Sequence, residues 1–75
     1  MEFLEITKAQ YVGGHKIHLW FNNHVDKVVD FTNMLVGPVF EPLRDEEYFK
    51  RFHMAYNTIE WENGADFAPE YLLGC

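Results

Sequence analysis

Apolar residues recur at alternate positions in parts of the first 31 residues, in three runs separated by turn-forming residues. Gly13-Gly14 supplies the positive φ of a tight two-residue hairpin. It joins a strand near Phe3–Val12 to one near His15–Phe21. Asn22-Asn23-His24 then forms a three-residue loop, with His24 in the left-handed region, before a strand near Val25–Phe31. These turns set a register. Val12 opposes His15 and Ile6 opposes Phe21; Phe21 opposes Val25, Leu19 opposes Lys27 and Ile17 opposes Val29. The inner face then reads Leu4, Ile6, Ile17, Leu19, Phe21, Val25, Val29 and Phe31. The outer face reads Phe3, Thr7, Tyr11, His18, Trp20, Asp26, Val28 and Asp30. A two-residue second turn would set Phe21 against His24 and Leu19 against Asp26. That mixes polar and apolar on one face, so the three-residue loop is favoured.

The second half has no such alternation. Thr32–Val36 reads as a turn or a one-turn helix, and Gly37-Pro38 and Pro42 interrupt anything longer. Asp45 is a good N-cap for a short helix through about Phe52, with Glu46 and Glu47 in its first turn and Lys50 and Arg51 near its end. A strand follows over about His53–Trp61, folded on itself at Tyr56-Asn57. Asn63-Gly64 marks a turn, and Pro69 suits the first position of a closing helix, Pro69–Leu73. The predicted fold is α+β: an antiparallel sheet of meandering hairpins with short helices packed on one face, residues 1–75 forming a single domain.

Composition narrows the function classes. Hydrophobic residues make up 48% of 75, too many for a disordered chain. No apolar run approaches the length of a membrane span, and Met1-Glu2-Phe3-Leu4-Glu5 has no secretory n- or h-region. The one cysteine, Cys75, can form no internal disulfide, so a reducing, cytoplasmic setting is expected. Charge is uneven. Residues 1–40 carry four acids and three bases, whereas residues 41–75 carry eight acids and three bases. Phosphate neutralisation needs clustered Lys and Arg, so direct nucleic-acid binding is disfavoured and a basic protein surface is the better partner.

Catalytic and metal chemistry find little footing. His15 and His18 are three apart on a strand and point to opposite faces; His24 and His53 lie elsewhere, and no zinc-type spacing occurs. The chain has no serine, no phosphate-binding glycine loop, and threonines only at 7, 32 and 58. Asp26 and Asp30 share a strand face and read as solvated carboxylates. No cofactor, metal or catalytic residue is expected. The surface that stands out is the outer sheet face with Tyr11, His18, Trp20 and Val28: left exposed, such large apolar groups mark an interaction site, and covered by the C-terminal segment they become core.

Four stretches carry a family likeness. They are Phe21-Asn22-Asn23; Val29-Asp30-Phe31; Gly37-Pro38-Val39-Phe40-Glu41-Pro42-Leu43-Arg44-Asp45 with Phe49 behind it; and Thr58-Ile59-Glu60-Trp61-Glu62-Asn63-Gly64-Ala65-Asp66. In this order they resemble the small bacterial family catalogued as domain of unknown function 2442. The likeness is densest in the PLRD and WxNGAD segments; His24 stands where the family turn has glycine. It implies a small α+β domain and no established activity. Members resemble stand-alone proteins, sometimes fused to a helix-turn-helix and often encoded beside another small protein, as toxin–antitoxin pairs are. The motif residues Asp30, Arg44, Asp45, Trp61, Asn63, Gly64 and Asp66 have structural explanations as caps, turn formers and core.

The function expected is therefore a non-enzymatic protein-interaction module, the acidic, antitoxin-like partner of a small basic protein or else self-associating. Tyr11, His18, Trp20, Glu60 and Glu62 are the candidate contacts. The alternative is a ligand-sensing or nucleic-acid-linked regulatory domain.

Overall fold

A computed structural model describes residues 3–74; Met1, Glu2 and Cys75, on which the expectations about a leader and a free thiol partly rest, lie outside the described residues. Three strands, β1 (Ile6–Gly13), β2 (Lys16–Phe21) and β3 (Asp26–Asp30), form an antiparallel meander in the order β1-β2-β3. A second, two-stranded sheet pairs β4 (His53–Ala55) with β5 (Thr58–Glu60). Two short helices, α1 (Glu46–Phe49) and α2 (Pro69–Leu73), and two 3₁₀ turns, Thr32–Met34 and Glu41–Arg44, complete an α+β fold.

The β2–β3 loop forms as its residues require. His24 sits at φ 70°, Phe21 N–H donates to the Val25 carbonyl at 2.8 Å, and the register sets Leu19 opposite Lys27 and Ile17 opposite Val29. Val25, expected inside, is exposed at the loop mouth.

The first hairpin departs from expectation in two ways. Its turn lies one residue later, over Gly14-His15, closed by Gly13 opposite Lys16, with Gly13 and Gly14 at φ 116° and 56°. Pairing also slips between Ile6 and Lys8 and again between Tyr11 and Gly13. Ile6 still opposes Phe21, but Ala9 opposes Leu19 and Tyr11 opposes Ile17. A bulge of this kind flips the side chains beyond it. Tyr11 consequently turns to the core side, where its ring meets Phe49 at 6.3 Å. Lys8 and Gln10 replace it on the outer face, opposite Trp20 and His18.

Helix α1 ends at Phe49, three residues short of expectation, although Asp45 caps it as foreseen by accepting the Glu47 N–H at 3.1 Å. Its ladder gives out where the Arg51 N–H donates to the Tyr48 carbonyl, and the last helical carbonyl, Phe49 O, accepts the Trp61 indole N–H at 2.7 Å inside the core. Phe31, Phe49, Trp61 and Phe67 form an aromatic cluster with centroids 5.3–6.1 Å apart. It packs with Leu35, Leu43, Ile59 and Leu72 on the inner face of the meander, presented by Ile17, Leu19, Phe21 and Val29. Thr58, the one buried polar residue among those described, donates its hydroxyl to the Phe67 carbonyl at 2.6 Å. Residues 32–74 thus cover one side of the three-stranded sheet. The other side is open: Val28 is 51% exposed and the Asp26 side chain 52%.

Candidate functional site

The open face is ordered in cross-strand rows. Lys8, Trp20 and Asp26 form one row, Gln10, His18 and Val28 the next, and Lys16 and Asp30 the last. Trp20 and His18, two apart on β2, stack at 3.7 Å and 16°. The Lys8 ammonium sits 4.7 Å from the Trp20 ring centroid, a cation–π contact. On the other flank the His18 Nε2–H donates to Asp26 at 2.7 Å. Each ring is held on both sides, so two aromatic planes stay fixed on a solvent-facing sheet.

Tyr11, Glu60 and Glu62 do not join this face. The Tyr11 hydroxyl lies 3.0 Å from the Gly14 carbonyl and 3.3 Å from a Glu46 carboxylate oxygen. Desolvation, together with the Glu46 charge, raises its phenol above the ordinary value. It is a strut between the first hairpin and α1. Glu60 alternates with buried Ile59 and Trp61 and so points away from the core, on β5, outside the three-stranded sheet that carries Trp20. It accepts from His53 at 3.0 Å, and Glu62 is exposed beside it.

The motif residues have structural roles here. Arg44 Nε donates to the Leu35 carbonyl at 2.9 Å. Asn63 accepts from Ala65 N–H and donates to the Val39 carbonyl at 2.7 Å; Gly64 takes φ 87° in the turn that lets Trp61 N–H reach the Ala65 carbonyl. Asp66 bridges to Glu60 through the backbone. Asp30 accepts both the backbone N–H (2.9 Å) and the hydroxyl (2.6 Å) of Thr32. The Thr32 hydroxyl bond, then its N–H bond, hold the Asp30 carboxyl below the usual carboxylate range. A group whose folded pKa is lowered contributes stability above its unfolded pKa, and that contribution is lost as pH falls through the lowered value. Asp30→Asn keeps an acceptor oxygen but cannot titrate. Its stability deficit relative to the parent, measured as urea midpoints, is expected to be constant at neutral pH and to shrink below about pH 4.

Two features escaped the sequence. His15 reaches across from the first hairpin; its Nε2 lies 3.1 Å from the Leu43 carbonyl and 2.9 Å from that of Arg44, so this nitrogen carries the proton. The second is a groove of about 570 Å³ lined by Pro38, Glu41, Pro42, Asp45 and Tyr48. Its signal was the proline-broken PLRD segment, whose kinks leave ring faces and carboxylates outside the core. Among the described residues no three His, Cys, Asp or Glu side chains are grouped to hold a metal ion, and no helix is long and apolar enough to cross a membrane.

The charge asymmetry of the sequence becomes an asymmetry of faces. The three strands turn Lys8, Lys16, Asp26 and Asp30 outward, a balanced set. The covering residues, from 32 on, hold eight carboxylates against three cations.

Neither the curated proteins nor the solved structures contain a match to this sequence. A family model, described as a protein of unknown function (DUF2442), matches residues 6–74, from the start of β1 through the end of the described residues. The bulged meander, the PLRD turn and the tryptophan-anchored hairpin are therefore those of a member of that family, to which this chain belongs.

Proposed function

We propose that this protein is a non-enzymatic interaction module of the cytoplasm whose acidic layer docks a small basic protein, in the manner of an antitoxin and its partner. The observation that carries the reading is the segregation of charge: the excess of acid sits in the layer covering the sheet, two of its carboxylates, Glu41 and Asp45, lining a groove with Pro38, Pro42 and Tyr48. Pro38, Pro42 and Tyr48 offer faces to the stem of a lysine or arginine, with Glu41 and Asp45 placed for its charged head. Glu60 and Glu62 extend the same sign along β5 and its turn. Such a layer steers a cationic partner and gives binding a strong dependence on ionic strength.

Affinity capture from the host lysate, with bound proteins weighed by native mass spectrometry, tests this. The parent chain is expected to retain one basic protein in stoichiometric amount and to release it as salt is raised. Glu41→Lys and the double variant Glu60→Lys/Glu62→Lys are expected to lose it by more than tenfold, while Trp20→Ala, altered on the other face, retains it. Retention unaffected by charge reversal, or a chain that emerges alone, overturns the reading.

A further inference from the structure

The open sheet face takes no part in that reading, and its charges do not favour a basic partner. They are arranged in strips. The β1 edge presents Lys8 and Gln10, the central strand presents Trp20 and His18, and the β3 edge presents Asp26, Val28 and Asp30. One edge is cationic, the other anionic, and the stacked rings form a spine between them.

We propose that this face docks a second copy of the same chain, related by a two-fold axis running along β2 in the plane of the interface. Such an axis exchanges the two edges, laying β1 of one copy over β3 of the other, and preserves position along the strands. Lys8 and Asp26 occupy the same cross-strand row as Trp20, so each Lys8 meets the partner copy's Asp26, twice per dimer. Each Trp20–His18 stack packs against its own symmetry mate. The same operation leaves the strands of the two sheets aligned, the arrangement of face-to-face sheet sandwiches. In the last row Lys16 stands opposite its own Asp30, which offsets the approach of two lysines near the axis. Gly13, in the same row on β1, leaves room for the partner's Asp30.

A second copy also suits the long-range charge. The acidic layers lie on the two outer sides of such a dimer, separated by both sheets and the roughly 10 Å between them, beyond the Debye length of about 8 Å at physiological salt. What selects a copy is the match of the edges to their own two-fold image, Lys8 against Asp26 on both sides of the axis. The face is small. Three strands by five residues cover about 14 by 17 Å, well under the roughly 800 Å² per partner of a standard interface, so the dimer is a weak one, to be sought at protein concentrations from about 10 μM to 1 mM.

Sedimentation equilibrium of the purified chain at 0.15 M salt tests the proposal over that range. The parent chain is expected to pass from monomer to dimer. Lys8→Glu and Asp26→Lys, each setting like charges together, are expected to remain monomeric at 1 mM with unchanged far-ultraviolet circular dichroism. The double variant Lys8→Glu/Asp26→Lys exchanges the two charges and is expected to recover the dimer. Glu60→Lys/Glu62→Lys, on the acidic layer, is expected to dimerise like the parent, which separates this proposal from the basic-partner reading. A parent chain still monomeric at 1 mM overturns it. So does a dimer indifferent to the single changes or not recovered by the double one, which assigns the contact to another surface such as the β3 edge.

Discussion

Trp61→Ala is expected to give a chain that does not fold, and Trp61→Phe one that folds with about 3 kcal/mol less stability. Trp61 is fully buried and touches Phe31, Phe49, Phe52 and Phe67 through ring contacts at 5.6–6.5 Å. Truncating a buried tryptophan to alanine costs about 3–5 kcal/mol by lost transfer and cavity formation. It also strands the Phe49 carbonyl, whose partner is the indole N–H, at a further cost of about 1–3 kcal/mol. A core in a chain of this size supplies only about 3–5 kcal/mol, so the alanine variant falls below zero. Phenylalanine refills most of the space and isolates the carbonyl term. Urea unfolding of both variants, followed by circular dichroism, separates the two contributions. An alanine variant with a cooperative transition near that of the parent would show that the aromatic cluster is not the centre of the fold.

The second large effect has the opposite sign. Among the described residues two non-glycines hold positive φ, His24 at 70° and Tyr56 at 55°. Tyr56 occupies the first central position of the two-residue β4–β5 turn, closed by Ala55 opposite Thr58, and its side chain is fully exposed. A positive φ there favours glycine, because a Cβ crowds the backbone in that conformation. The left-handed region costs a non-glycine residue about 1–2 kcal/mol, and glycine returns about 0.5–1 kcal/mol of that through the freedom it adds to the unfolded chain. Tyr56→Gly is therefore expected to stabilise by about 1 kcal/mol, and His24→Gly by somewhat less because histidine tolerates this region. Together they raise Tm by about 5–10 °C for a domain of this length. Tyr56→Ala is the control: it removes the exposed ring but keeps the Cβ, and is expected to leave Tm unchanged. If alanine stabilises as much as glycine, the ring and not the backbone is responsible.

Where pattern and turn chemistry agreed, the elements formed as read. The Asn22-Asn23-His24 loop, the β2–β3 register, the Asp45 cap, the Tyr56-Asn57 turn and the Pro69 helix start are all local decisions, made by residues within a few positions of one another. The bulge in β1 shows in the sequence as a change of parity. Leu4 and Ile6 are apolar on even positions, whereas Ala9 and Tyr11 are apolar on odd ones with Lys8 and Gln10 between them. Assigning one uninterrupted register to that strand misplaced Tyr11 and omitted Lys8, the residue on which the sheet-face contact turns.

What the sequence by itself determined is the fold class, the three-stranded meander, the family and the concentration of acid in the second half. Periodicity, turn residues and charge are properties of neighbours in the chain, and the chain alone carries them. What only the tertiary structure decided is what binds the last carbonyl of α1, which side of the sheet stays open and how the charges divide between faces. Each depends on contacts between distant residues: the Trp61 indole taking the Phe49 carbonyl, His15 binding the PLRD carbonyls, and residues 32–74 all packing on one side because the aromatic cluster needs a single apolar face to bury against.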